Sequence, residues 1–236
     1  MTQKYVYFFG AGSAEGSGDL KDLLGGKGAS LAEMTRLGIN VPPGFTISAE
    51  ACGEYYSNNK TLPSQIWDQI LANLKRLEEC MDRKFGDTFD PLLLAVRSGA
   101  RVPMPGLMDT ILNLGLNEET ACALSVKAQN ERFAHDCHRR FIAMFGSAAL
   151  GMDPSLFETL LDRKKKDRGA VSDMELTDRD LRGLIKKYKA LVKKKAGVEF
   201  PRDPMEQLRM AVEAAFLSWN AKPAVSYRQT RNIPNE

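Results

Sequence analysis

The stretch Leu24-Gly25-Gly26-Lys27-Gly28 is the most informative part of this sequence for both fold and function. It places one cation among glycines, directly before a segment with helical spacing. Glycine has no Cβ, so the three glycines allow a ligand to approach the backbone, and the N–H groups at the start of a helix attract an anion. The stretch predicts a phosphate-binding turn and then a helix over about residues 28–37, with Lys27 as a point charge.

A second stretch of this kind, Arg97-Ser98-Gly99-Ala100, follows an apolar run at 91–96. The run predicts a buried strand that delivers Arg97 to its end, where sheet proteins often bind ligands. A guanidinium is a planar fork that binds two phosphate oxygens, and Ser98 and Gly99 are small enough to leave room for them. Two such stretches favour a nucleotide polyphosphate as ligand. The alternatives are a plain turn with a surface lysine at position 27 and a salt-bridged arginine at position 97.

The loop Met104-Pro105-Gly106-Leu107-Met108-Asp109-Thr110 permits two interpretations. It is either a rigid connection whose methionines pack into a core, or a lid over the phosphates. In the lid interpretation Gly106 gives access to the backbone, Asp109 reaches a metal ion and Thr110 begins a helix.

Two common nucleotide-binding motifs are not found around Lys27. The G-x-x-x-x-G-K-[ST] spacing of a P-loop is absent, and no G-x-G-x-x-G follows a strand with an acidic residue at the expected distance. The predicted nucleotide site therefore belongs to another class.

Composition describes an ordinary globular chain of 236 residues, 43% hydrophobic and 27% charged. No apolar run approaches the roughly 20 residues of a membrane-spanning helix, and the N-terminus resembles neither a signal nor a transit peptide. We therefore expect a cytoplasmic protein with no membrane partner; an organelle address at a missing C-terminus is the alternative left open. The four cysteines, Cys52, Cys80, Cys122 and Cys137, are far apart, which argues against zinc and disulfides. A net charge of +3 does not by itself indicate a nucleic-acid partner.

Hydrophobic spacing divides the chain into a mixed part and a helical part. In the mixed part we predict strands at 5–9 and 45–48 and helices at 49–56 and 62–80. From residue 117 the predicted elements are helices at 118–127, 132–149, 154–166, 177–196 and 205–219, with a strand-like segment at 224–227. The predicted fold is α+β: a discontinuous α/β nucleotide-binding subdomain, 1–116 and 204–236, interrupted by an all-helical insert, 117–203.

The helical part contains both histidines of the chain and two lysine clusters, at 164–166 and 193–195. Histidine is a natural phosphoryl carrier and metal ligand, but His135 and His138 lack a nearby set of cysteine or carboxylate partners. We therefore interpret them as structural or solvated, predict no metal site, and interpret the lysine clusters as solvated helix faces.

In the stretches that carry Lys27 and Arg97 and in the loop at 104–110, the sequence resembles the N-terminal nucleotide-binding region of the pyruvate phosphate dikinase family. The resemblance covers essentially the whole chain, and its most specific stretches are Leu23 to Gly28, Val41 to Thr46, Val96 to Arg101 and Met104 to Gly115. Phosphoenolpyruvate synthase and glucan water dikinase share the lysine and the Arg-Ser element. The stretch Met-Pro-Gly-Leu-Met-Asp-Thr at 104–110 is more similar to the phosphate dikinases than to these two relatives.

The resemblance implies an ATP-grasp-like fold with an inserted helical subdomain, and Mg²⁺-ATP as ligand. A histidine on a separate swivelling domain would attack the β-phosphate, and the overall reaction would interconvert ATP, phosphate and pyruvate with AMP, pyrophosphate and phosphoenolpyruvate. Lys27 and Arg97 would neutralise the polyphosphate, and the loop at 104–110 would close over it. The implied ATP-contacting residues are Gly25, Gly26, Lys27, Arg97, Ser98, Gly99, Met104, Pro105, Gly106, Asp109 and Thr110.

The sequence also departs from the family pattern. Enzymes of the family are several times longer, so the Mg²⁺-binding acidic residues and the carrier histidine are expected outside these 236 residues. His135 and His138 do not match the carrier motif. We therefore expect the chain alone to be catalytically incomplete, to bind ATP weakly or not at all, and to hold no cofactor tightly.

Three alternatives remain open at this stage. The chain is a nucleotide-free interaction or scaffold segment, the matching region of a phosphoenolpyruvate synthase, or a nucleic-acid-binding piece that uses its lysine-rich insert. The last is disfavoured because aromatic residues are not interleaved with the lysines.

Overall fold

The computed structural model describes residues 3–100 and 110–233, and this part of the chain contains nine α-helices and three small sheets. The strands are β1 (Val6–Gly10), β2 (Ser13–Ala14), β3 (Gly44–Ile47), β4 (Lys84–Phe85), β5 (Pro91–Leu92), β6 (Leu94–Arg97) and β7 (Thr110–Leu114). The helices are α1 (Lys21–Arg36), α2 (Ala49–Ser57), α3 (Ser64–Met81), α4 (Glu118–Ala128), α5 (Glu131–Ala148), α6 (Ser155–Arg168), α7 (Asp178–Ala196), α8 (Pro204–Trp219) and α9 (Lys222–Thr230). This mixture of helices and small sheets agrees with the predicted α+β class.

The chain forms two compact units. The first unit takes its described residues from 1–82, 97–109 and 216–236, and the second from 83–96 and 110–215. The predicted helical insert, 117–203, and the discontinuous α/β subdomain, 1–116 and 204–236, were defined by sequence pattern and stay predictions.

The first unit is built on an antiparallel sheet of order β2-β1-β3. Apolar residues of β1 are buried, and α3, whose Ile66 and Ile70 are fully buried, packs on this strand. The side chain of Gln69, on the same helix, accepts hydrogen bonds from the backbone N–H groups of Tyr5 and Val6 at 2.7 and 3.2 Å. The amphipathic spacing of α3 thus supplies both the apolar contact and the polar groups that the first strand needs.

Helix α1 differs from the prediction at its start. It begins at Lys21 rather than near Gly28, and it is broken at Gly25, whose φ of 68° and ψ of 166° are not helical. Leucines before the break favour a helix, whereas glycine adopts a positive φ at little cost. The predicted helix therefore corresponds to the part of α1 that follows the break, and it stops as expected before Gly38, which has a φ of +77°.

The second unit has an aromatic core between helices. Phe141 and Phe145 of α5 meet the ring of Phe200, with centroid separations of 5.4 to 5.6 Å. Tyr188 of α7 stacks edge-on against Phe157 of α6 at 5.0 Å. These residues are buried, so the helical periodicity read from the sequence corresponds to the core-facing sides of these helices.

One predicted strand is divided into two, and another is wrong. The apolar run 91–96 is not one buried strand, because β5 pairs with β4 and β6 belongs to the sheet with β7; alternate residues of β6 are exposed. The strand-like segment 224–227 lies inside helix α9. Pro223 stands in the first turn of that helix, where its fixed φ favours helix initiation, and Ala224 and Arg228, one turn apart, are both buried.

No helix in the described ranges, 3–100 and 110–233, is long and apolar enough to cross a membrane.

Candidate functional site

The break in α1 determines how Lys27 is presented. Gly25 turns the backbone through the left-handed region, and the helix resumes directly after it. The first N–H groups after a helix break have no complete set of intrahelical acceptors. One of them, that of Gly26, donates to the carbonyl oxygen of Ala100 at 3.0 Å. The glycine turn is therefore joined directly to the second predicted motif.

The side chain of Lys27 makes the second connection between the motifs. Its ammonium donates to the carbonyl oxygen of Ser98 at 2.9 Å, the residue that follows Arg97. Positions 27 and 98 are far apart in sequence but belong to the same unit. The two stretches that the sequence predicts as phosphate-binding are thus brought together, as a site built from both requires.

The glycines of the turn allow close packing of the backbone. A Cβ added at Gly25 would lie 3.4 Å from the backbone of both Gly99 and Ala100. A Cβ at Gly28 would lie 2.6 Å from the side chain of Thr46, where α1 packs against β3. Gly28 was expected to clear space for a ligand, but its surroundings show that it lets the helix approach the sheet.

Both predicted cations are accessible to solvent. Lys27 and Arg97 are exposed, and neither forms an ion pair with another residue of the described ranges 3–100 and 110–233. An ammonium has three N–H donors and a guanidinium has five, and Ser98 takes only one of the donors of Lys27. Donors therefore remain for an anion at the junction of the two stretches.

Ser98 holds the second stretch through a buried side-chain contact. Its side chain is buried, with 5% of the residue exposed, and its hydroxyl lies 3.2 Å from the hydroxyl of Ser218 near the end of α8. Ser218 was missed by sequence reasoning, because it lies 120 residues further along the chain and inside an ordinary helix. No local pattern distinguishes it from other helical serines.

The predicted lid falls mostly outside the described residues. Met104, Pro105, Gly106 and Asp109 are in this group, so their proposed contacts stay predictions. Thr110 is described, and it begins strand β7 rather than a helix. Strand β7 pairs with β6. The helix expected to begin at Thr110 is therefore not found.

The two histidines lie on α5 in structural surroundings. His138 is 2% exposed, and burial, reinforced by Lys189, lowers its pKa to about 3, against an opposing effect of Glu118. His135 places its Nδ1 2.5 Å from a carboxylate oxygen of Asp178. The interpretation of both residues as structural is consistent with this burial and pairing.

Potential metal ligands do not converge in this part of the protein. Within residues 3–100 and 110–233, no group of three or more histidine, cysteine, aspartate or glutamate side chains could hold a metal ion. The four cysteines are free, and burial raises the pKa of the Cys52 thiol to about 11, which makes it a poor nucleophile at neutral pH. A divalent ion has no preformed set of ligands among the described side chains.

Comparison with known proteins identifies the class of this chain. A family model described as "Pyruvate phosphate dikinase, AMP/ATP-binding domain" matches residues 21–78 and 58–236. The class is therefore an AMP/ATP-binding domain, in agreement with the paired cation-bearing stretches. The chain belongs to the pyruvate phosphate dikinase family through this domain.

Individual relatives are similar over nearly the whole chain. Pyruvate, phosphate dikinase 1 (chloroplastic) of Oryza sativa subsp. japonica is 48% identical over 232 residues, which are 98% of this chain and 24% of the relative. The chloroplastic dikinase 1 of Arabidopsis thaliana is 46% identical over 99% of this chain and 24% of its own length. Pyruvate, phosphate dikinase 2 of Zea mays is 47% identical over 97% of this chain and 26% of its own length. The chain thus spans about a quarter of the curated relatives that it matches.

Proposed function

We propose that this chain supplies the cation-bearing part of an Mg²⁺-ATP site for a pyruvate phosphate dikinase reaction. That reaction interconverts ATP, phosphate and pyruvate with AMP, pyrophosphate and phosphoenolpyruvate. The observation that carries the proposal is the 2.9 Å hydrogen bond from the ammonium of Lys27 to the carbonyl of Ser98, beside Arg97. It brings two exposed cationic motifs from distant parts of the sequence to one place, and the matched family is described as AMP/ATP-binding.

The chemistry of phosphoryl transfer explains why two cations are useful here. Negative charge is spread over the phosphate oxygens in the transition state, so catalysis depends on positioning and electrostatic stabilisation. Lys27 supplies a point charge, and Arg97 supplies a planar fork for two oxygens. Gly25, Gly26, Ser98 and Gly99 form the backbone on which these cations are carried, and the loop at 104–110 closes over the nucleotide.

Other parts of the site come from outside the described residues. ATP brings Mg²⁺ with it, and acidic residues that complete the metal coordination lie elsewhere in an ATP-grasp-like fold. As the family resemblance implies, the acceptor is a histidine on a separate swivelling domain. Within the described residues, His138 is buried and His135 lies beside Asp178. The chain is thus one component of a phosphotransferase and by itself binds ATP weakly or not at all, because Lys27 and Arg97 without metal-binding carboxylates leave the site incomplete.

A chimeric enzyme tests the proposed role. The matching segment of the rice dikinase 1 is replaced by this chain, which aligns over 232 residues, and ATP-dependent phosphoenolpyruvate formation is measured. Replacing Lys27 by alanine in the chimera is expected to lower kcat/KM for ATP by about 10²- to 10³-fold, the range for removal of one electrostatic donor. Lys75→Ala, which removes an exposed lysine of α3, is the matched control. Unchanged ATP kinetics in Lys27→Ala would contradict the proposal.

One observation favours a second candidate, a nucleotide-free scaffold. Lys27 and Gly26 each use a donor within the chain, on Ser98 and Ala100, so this junction also stabilises the fold without ligand. Under this alternative, Lys27→Ala lowers the free energy of unfolding of the chain but leaves the ATP kinetics of the chimera unchanged. Measuring both quantities on the same variant separates the two functions.

We keep a cytoplasmic location as part of the proposal for this chain. The rice and Arabidopsis relatives are named as chloroplastic proteins, whereas the maize dikinase 2 is not. Fluorescence microscopy of the tagged chain in its own cells would test the location.

A further inference from the structure

A buried pair of hydroxyl groups lies directly behind the junction of the two motifs. The hydroxyl oxygens of Ser98 and Ser218 are 3.2 Å apart, and the two residues are 5% and 6% exposed. A buried hydroxyl without a partner is costly, so Ser98 has a physical reason to keep the rotamer that reaches Ser218. The pair therefore fixes the position of Ser98 relative to the end of α8.

The end of α8 is itself held at several points inside the first unit. The hydroxyl of Tyr56 donates to the carbonyl of Phe216 at 3.1 Å, and the ring of Tyr55 lies 5.3 Å from that of Phe216. The guanidinium of Arg228 stacks on the ring of Trp219 at 4.1 Å and donates to the carbonyl oxygen of the same residue. Ser218 lies between these two anchored residues, so its hydroxyl is a fixed support.

The fixed position of Ser98 reaches the cation of the site through one more hydrogen bond. The carbonyl oxygen of Ser98 accepts from the ammonium of Lys27 at 2.9 Å. A lysine side chain has four rotatable carbon–carbon bonds and loses much entropy when it is held. An acceptor that does not move restricts the ammonium to a smaller volume, and prior restriction lowers the cost of ordering it on ligand binding.

We propose that Ser218 is a positioning residue for Lys27. Its hydroxyl holds Ser98, and the carbonyl of Ser98 holds the ammonium at the place where a polyphosphate would bind. That the ligand is a polyphosphate rests on the proposed function, whereas the positioning of Lys27 by Ser218 does not. The role is assigned to Ser218 because its hydroxyl contacts the side chain of Ser98 from a separate segment of the first unit.

The first experiment measures the motion of Lys27 without any nucleotide. NMR relaxation of the lysine Cε groups is recorded on the full chain, and wild-type Lys27 is expected to have a higher order parameter than the exposed Lys75. In Ser218→Ala the order parameter of Lys27 is expected to fall to that of Lys75. In Ser218→Thr, which keeps the hydroxyl, it is expected to stay near the wild-type value.

A matched control separates positioning from general loosening. Tyr56→Phe removes a different hydrogen bond to the same end of α8 and is expected to leave the order parameter of Lys27 unchanged. An equal loss of order in Tyr56→Phe and Ser218→Ala would overturn the proposal, and so would an unchanged Lys27 in Ser218→Ala. If Ser218→Ala does not fold, Ser98→Ala removes the same hydroxyl pair from the other side and is judged by the same outcomes.

The second experiment measures nucleotide use in the chimeric dikinase. Ser218→Ala is expected to raise the KM for ATP about tenfold, the factor that corresponds to loss of one ordinary hydrogen bond, with a smaller change in kcat. A KM equal to that of the parent chimera would overturn the role in ATP binding. If Lys27→Ala has no effect on ATP kinetics, the proposed function fails, and the NMR result still decides whether Ser218 positions Lys27.

Discussion

At the scale of single residues, Gly25 determines the geometry around the proposed site. Its φ of +68° lies in the left-handed region, and its Cα faces the backbone of Gly99 and Ala100. Only glycine adopts this conformation without steric cost. The positive φ of Gly25 thus allows the backbone of the glycine turn to contact the backbone of the second motif at Gly99 and Ala100.

Replacing Gly25 by alanine is expected to lower the free energy of unfolding by about 1–2 kcal/mol, because a Cβ is strained at positive φ. The matched control is Gly53→Ala in α2, where an added Cβ meets nothing within 4 Å. That change is expected to raise the free energy of unfolding by about 0.5–1 kcal/mol, since alanine is the better helix former. Urea unfolding of both variants measures the difference, and equal effects would contradict the role of Gly25.

His138 makes the stability of the folded protein depend on pH. Its pKa of about 3 in the folded protein lies below its ordinary value of 6.5, because burial and then Lys189 disfavour the charged ring. The unfolded chain therefore binds the proton first. The stabilisation from keeping this ring neutral is fully present above pH 6.5 and is lost progressively as the pH falls toward 3.

We expect the wild type to lose about 2 kcal/mol of stability between pH 7 and pH 4.5 through His138. His138→Leu, which cannot titrate, is expected to lose less over the same interval, as measured by urea unfolding at the two pH values. His135→Gln leaves His138 in place and serves as the control. An identical loss in wild type and His138→Leu would exclude this residue as the cause.

Asp180 acts in a lower pH window and is therefore separable from His138. Burial alone would raise its pKa, but hydrogen bonds from Thr177, Arg168 and Lys164 outweigh that effect and hold the pKa well below its usual value. The stabilisation of the folded protein by ionised Asp180 is present above about pH 4, the ordinary pKa of an aspartate. It is lost as the pH falls further.

At the scale of secondary-structure elements, α5 shows how one helix divides its faces. Phe141 and Phe145 are fully buried against Phe200, whereas Phe133 is 46% exposed near the start of the same helix. All three are apolar residues on a helical pattern, so the sequence alone does not separate core from surface here.

Truncating Phe141 to alanine is expected to lower the free energy of unfolding of the second unit by about 3–5 kcal/mol, because the substitution leaves a cavity in a packed core. Phe133→Ala changes the same residue type on the same helix, and we expect an effect within about 0.5 kcal/mol. Chemical denaturation followed by circular dichroism compares the two. Similar effects would show that the core of this unit is arranged differently.

Long amphipathic helices and the strands predicted at 5–9 and 45–48 were predictable from sequence, whereas two other short segments were not. In α3 the residues Ile66, Ile70, Leu74 and Leu77 repeat every three or four positions, and one helix satisfies all of them. The run 91–96 and the segment 224–227 contain too few residues for a period to be decisive. Their structures depend on pairing partners, β4 and β7 for the first, and on helix initiation at Pro223 for the second.

At the scale of the whole molecule, the chain contributes two compact units to a family whose curated members are about four times longer. The two cationic motifs lie in the described residues, but a cluster of metal ligands does not. The histidines are engaged inside the second unit. These positions agree with the proposal that the chain supplies the cation-bearing part of a larger site.

We therefore expect the chain alone to form no phosphoenolpyruvate from ATP, phosphate and pyruvate, and calorimetry to detect weak or no binding of Mg²⁺-ATP. The rice dikinase, assayed in parallel, is the positive control for both measurements. Tight ATP binding by the chain that is lost in Lys27→Ala, or turnover by the chain itself, would show that the site is complete within these residues.

The sequence by itself determined the family, the helical segments and the two cation-bearing stretches, because each depends on residue types and spacings that are local in the chain. Only the tertiary structure decided that Lys27 binds the carbonyl of Ser98, that Gly25 faces Gly99, and that Ser218 supports Ser98. These contacts join residues separated by 71 to 120 positions. Such pairs form when the whole unit folds and buries its polar groups together, and no local pattern encodes them.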